Sequence, residues 1–133
     1  MEIIQAIIRG IVFVAEENDW EHEGVIIKTS KQQIKLGIDN DQICCEEFGY
    51  FMSEDDPDVF IGAVLKSITI TDTELKTYEI LKDKEFEYGG GVMFVNIETD
   101  KGILQFVAYN AHLGYYGHSA CVISNQLNHI ETL

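Results

Sequence analysis

The chain has 133 residues, 46% of them hydrophobic and 11% aromatic, with nine Lys and Arg against 23 Asp and Glu for a net charge of −14. Size and apolar content exclude a disordered chain and point to a single domain over residues 1–133 with a buried core. The negative field repels phosphate backbones, so direct nucleic-acid binding is set aside and basic partner surfaces are favoured, although solubility is the plainer use of such charge.

Three cysteines, Cys44, Cys45 and Cys121, include a vicinal pair and leave an odd one over. That is no disulfide framework, and it suits reduced thiols in a cytoplasm. Residues 1–15 are apolar but carry Glu2, Gln5 and Arg9 and are too short to span a bilayer, so no membrane segment is expected.

In chain order, the isoleucine- and valine-rich residues 1–15 predict one bent strand or two short ones, interrupted at Gly10. Residues 16–23 predict an acidic loop whose Trp20 folds back on the core. Residues 25–29 and 33–38 predict a hairpin, because Ile34, Leu36 and Ile38 alternate with Gln33, Lys35 and Gly37. Asp39, Asn40 and Asp41 predict a cap on a short helix over 42–48. Glu54, Asp55, Asp56 and Asp58 then form an exposed loop around Pro57, the only proline. Its carboxylates lack the spacing of a calcium loop, and a solvated loop is the better reading.

Residues 59–72 predict a strand, with Ile68 and Ile70 on one face. The charged stretch 73–87 predicts a connection with room for a helical turn. Gly89, Gly90 and Gly91 fail as a phosphate loop, since no helix and no closing lysine follow, and read as an entry into a strand over 92–98. The turn 99–102 ends in Gly102 and predicts a hairpin returning over 103–109, broken at Asn110. Residues 119–130 fit a strand or a short helix. The expected class is α+β, mostly antiparallel β, with roughly six to eight short strands and one or two short helices.

Residues 104–121 hold most of the reactive chemistry: His112, Tyr115, Tyr116, His118 and Cys121. His112 and His118 flank two glycines, so both imidazoles can converge, and imidazole and thiolate are the ligands zinc prefers. Cys44, Cys45, His112 and His118 are therefore the expected set for a structural zinc, with Cys121 as an alternative if its segment is helical and shares a face with His118. The plainer reading keeps the cysteines as buried small hydrophobes and the histidines at the surface. No catalytic set is expected, because neither a thiol nucleophile near His112 nor a zinc-activated water near Glu46 has a supporting motif. Tyr115 and Tyr116 can anchor an interface or stack a base, or cover the end of the core.

Cys44-Cys45-Glu46 with Gly49-Tyr50-Phe51, then Phe60-Ile61-Gly62-Ala63, residues 91–97 and above all residues 104–118 resemble a family of small, largely uncharacterised proteins of bacteriophages and prophages of Firmicutes. The resemblance implies a phage accessory protein, a group that includes anti-CRISPR inhibitors of Cas9. On that reading Glu46, Glu47, Glu54, Asp55, Asp56, Asp58, Tyr115 and Tyr116 meet the partner, and carboxylates in a basic groove gain from the counterion release that DNA exploits. A protein sequestering a nucleotide defence signal in the Tyr/His loop, and a metal-dependent enzyme, are the alternatives.

Overall fold

β-Branched residues fill the start of the chain, and they form one long strand, β1 (Ile4–Val14). The computed structural model describes residues 1–15, 21–40, 47–82, 91–111 and 117–133. After β1 come β2 (Glu21–Thr29), β3 (Gln33–Asp39), β4 (Glu47–Met52), a 3-10 turn (Pro57–Phe60), β5 (Leu65–Thr71), helix α1 (Glu79–Lys82), β6 (Gly91–Thr99), β7 (Gly102–Ala111), β8 (Ser119–Ile123) and β9 (Asn128–Thr132). Among the described residues every strand pairing is antiparallel, in a five-stranded sheet ordered β1-β2-β3-β8-β9 and a four-stranded sheet ordered β4-β7-β6-β5.

The fold is thus mostly antiparallel β. Among the described residues it has nine strands, above the six to eight expected, and its helical part is one four-residue helix plus the 3-10 turn. The inner faces of the two sheets make the main core: Ile27, Ile34, Leu36 and Val122 from one meet Val95, Ile97, Leu104 and Phe106 from the other, each fully buried. A second cluster on the outer face of the four-stranded sheet includes Tyr78, Leu81, Phe94 and Val107.

Gly10 bends β1, as its position suggested. It sits at φ 66 where the register slips between Arg9 and Ile11, a left-handed conformation that glycine adopts without steric cost. The slip exchanges faces. Ile7 stands opposite Ile27 in the main core, whereas Phe13 stands opposite His22 and packs outside with Ala15 and Cys121.

Four expectations need correction. Glu21, His22 and Glu23 belong to β2 rather than to a loop, because the ladder with β1 continues to Val14 and Glu21. Phe48 is strand rather than helix, since β7 runs on to Ala111 and offers it a partner; residues 42–46 of that expected helix lie outside the described residues. Asn110 does not break β7: it pairs with Phe48 on one side and Gly91 on the other, and its Nδ2 donates to the Leu133 carbonyl at 3.1 Å. Strand β5 starts only at Leu65, because Pro57 opens the 3-10 turn and Gly62 takes φ 91. The ambiguous stretch after Ser119 resolves into the hairpin β8–β9.

The way β4 lies over the first sheet positions the site. Phe48 of β4 stacks on His118, just before β8, while Tyr50, two residues on, reaches Glu23 of β2. One strand of the second sheet therefore passes over several strands of the first.

Candidate functional site

The acidic turn after β4 is held from beneath. Ser53 N donates to the Gln105 carbonyl at 2.8 Å and its Oγ accepts from Gln105 N at 2.9 Å, tying the end of β4 to β7. Asp56 caps the 3-10 turn, accepting from Asp58 N at 3.3 Å, while Pro57 and Phe60 point into the protein. Turn residues Glu54, Asp55, Asp56 and Asp58 are left exposed on a fixed backbone. The cation against them is Arg9, whose Nη1 lies 3.6 Å from Asp58 with both side chains about half exposed. Such a pair is worth less than about 1 kcal/mol in water, so the turn keeps its negative field.

Beside the turn lies a cavity of about 230 Å³ with Val25, Tyr50, Met52 and Pro57 in its lining and Glu54 and Asp55 at its rim. Tyr50 spans it. Its hydroxyl donates to Glu23 Oε2 at 3.2 Å, and burial, then the Glu23 charge, push its pKa above the ordinary phenol value. A negative partner favours the neutral phenol that can donate to it.

β4 is the last strand of its sheet, and among the described residues it pairs only with β7. The first sheet extends past it. Val12 and Val14 stand opposite Glu23 and Glu21, on the face that β4 covers further down, yet are 48% and 47% exposed. They form a ledge beyond the β4 edge.

His118 is the one residue of the expected zinc set that is described. It is buried, its Nδ1 donates to the Asp39 carbonyl at 2.9 Å, and its ring stacks on Phe48 with centroids 4.0 Å apart. Because a carbonyl only accepts, Nδ1 carries a proton and donates this bond, as the non-ligating nitrogen of a metal-binding histidine does. The surface placement of the plainer reading is corrected for His118: β8 starts one residue later, and the backbone N–H and C=O of His118 pair with Leu133. Cys44, Cys45, His112, Glu46, Tyr115 and Tyr116 lie outside the described residues. Asp39 and Phe48, which His118 touches, lie on either side of residues 41–46 in the sequence, where Cys44 and Cys45 fall.

Cys121 does not share a face with His118. Its segment is strand rather than helix, and the thiol points to the outer face against Phe13, where burial pushes its pKa up to about 12. Among the described residues no three His, Cys, Asp or Glu side chains gather into a metal-holding group. Glu47 is exposed at the start of β4.

Sequence reasoning missed Tyr50, Met52 and the valine ledge. The alternation of Phe48, Tyr50 and Met52 was the available signal, hidden by the helix expected over 42–48. It also missed buried His22, whose Nε2 lies 3.2 Å from Ser119 Oγ.

Among the described residues no helix is long and apolar enough to cross a membrane. The sequence model of a family described as a domain of unknown function, DUF7448, matches residues 3–122. No curated protein and no solved structure matches.

Proposed function

We propose that this chain, which belongs to the DUF7448 family, is a protein-binding module that presents carboxylates to a basic partner. The partner in this reading is a bacterial defence nuclease such as Cas9. A phage-encoded copy of the chain, acting in the host cytoplasm, obstructs the loading of nucleic acid into the nuclease. The observation that carries the reading is the fixed turn that exposes Glu54, Asp55, Asp56 and Asp58 on a chain of net charge −14. Carboxylates held at fixed spacing release counterions from a basic groove without first paying to order themselves.

A structural zinc is part of the proposal. His118, whose Nδ1 donates to the Asp39 carbonyl and whose ring stacks on Phe48, supports a clip made with Cys44, Cys45 and His112. The clip would tie the end of β7 to the start of β4 and hold the acidic face in place.

The test is retention of guide-free Cas9 by the immobilised chain, with guide loading and DNA cleavage measured on the same mixtures. Turning Glu54, Asp55, Asp56 and Asp58 into their amides should weaken retention roughly 30-fold, at about 0.5 kcal/mol per surface charge. Retention of no nuclease at low salt, across several defence systems, refutes the reading. Metal analysis of untagged protein tests the clip: zinc near one equivalent is expected, and none removes it.

A further inference from the structure

We infer that the edge of β4 turned away from β7, unpaired among the described residues, takes an extended, basic segment of a protein partner, which adds to the four-stranded sheet as a further strand. The inference rests on the protein-binding reading above and names where and how the partner docks. The Ser53 N–H donates to the Gln105 carbonyl of β7, so the alternation of an antiparallel ladder directs the backbone groups of Phe48, Tyr50 and Met52 away from β7. No bond from them to a neighbouring strand is present among the described residues. An edge of this kind is a template for one more strand.

The ledge chooses what that strand carries. Side chains turned toward the first sheet would lie on exposed Val12 and Val14, which accept apolar groups. Glu21 and Glu23 stand beside these valines, and Glu54 and Asp55 stand at the Met52 end, so the incoming chain meets carboxylates along the edge. Arg9 is the local cation and is engaged with Asp58. A second copy of the chain is disfavoured as the occupant, because each carries −14. The segment that fits is extended, alternates apolar and Lys or Arg side chains, and has free backbone N–H groups toward β4.

The probe is a capped peptide of alternating valine and lysine, about eight residues long to overlap a six-residue strand at both ends. It is titrated into the isotopically labelled full chain while amide exchange is followed. Saturable binding should slow exchange at Phe48, Tyr50 and Met52. N-methylation of alternate peptide residues, on the side facing β4, should abolish it. Binding should be about tenfold weaker to the chain carrying Glu54→Lys and Asp55→Lys, both exposed in the free protein. Equal binding of the methylated peptide, with β4 exchange unchanged, overturns strand addition but leaves the acidic-surface reading standing. No saturable binding at millimolar peptide also overturns strand addition, while Cas9 retention independently decides the broader reading. Protection of β4 that grows with protein concentration in the absence of peptide overturns it in favour of a second copy.

Discussion

Replacing Gln105 by leucine should destabilise the fold by removing the bonds that hold the segment 72–82 to the outer face of the second sheet. The Gln105 side chain is fully buried, and its amide makes four hydrogen bonds. Oε1 accepts from Leu75 N at 3.0 Å and from the Tyr78 hydroxyl at 2.7 Å; Nε2 donates to the Thr73 carbonyl at 3.1 Å and to Asn96 Oδ1 at 2.8 Å. Thr73 and Leu75 are exposed, so their backbone groups can turn to water at little cost. Tyr78 is buried, and its hydroxyl loses a partner where solvent does not reach. Counting about 1–3 kcal/mol for that orphan and about 1 kcal/mol for each remaining buried bond gives a loss of about 3 kcal/mol. Relief by detachment is limited, since exposing Tyr78 and Leu81 costs a similar amount in lost burial. Urea unfolding followed by tyrosine fluorescence measures the loss. Tyr78→Phe alone should cost about 1 kcal/mol, and the double variant less than the sum, because the two residues share a bond. A loss below about 1 kcal/mol for Gln105→Leu, or strict additivity, refutes the reasoning.

Gly24→Ala should abolish folding or cost more than about 3 kcal/mol by thermal unfolding, since a Cβ there would sit 1.9 Å from the Leu36 carbonyl oxygen of the neighbouring strand. Burial raises the pKa of Tyr78 from 10.0 and of Cys121 from 9.0, each to about 12, and burial with the Glu23 charge raises Tyr50. The folded state thus favours their neutral forms. That stability is complete below the ordinary values and is lost as pH climbs through the raised ones, so urea midpoints should hold to about pH 9 and fall toward pH 12. A chelator should lower the melting temperature of the native chain but not that of His118→Asn; equal shifts in both, or none in either, contradict the zinc clip.

Much of the fold was legible because strand alternation survives wherever one face is wet. The hairpin of β6 and β7 and that of β2 and β3 stand where Ile34, Leu36 and Ile38 and the turn at Gly102 put them. The failures share one cause: local preference yielded to a neighbouring strand. Phe48 follows an acidic stretch that caps helices well, yet β7 offers it a ladder; Asn110 breaks strands in isolation, yet here it has partners on both sides. Position on the chain revealed the acidic turn, because Pro57 and four carboxylates seldom suit anything but a surface. The ledge was illegible, since the exposure of Val12 and Val14 depends on where the other sheet ends, and no pattern within β1 encodes that. His118 was read as a loop residue because its burial depends on Phe48 and Leu133, both distant in sequence.

The central claim, that the fixed carboxylates of the 54–58 turn engage a basic partner, is tested most directly by the salt dependence of Cas9 binding. Affinity for guide-free Cas9 should fall linearly with salt on logarithmic axes, and the slope should become shallower when Glu54, Asp55, Asp56 and Asp58 are replaced by their amides. A slope and an affinity unchanged by that replacement would contradict it.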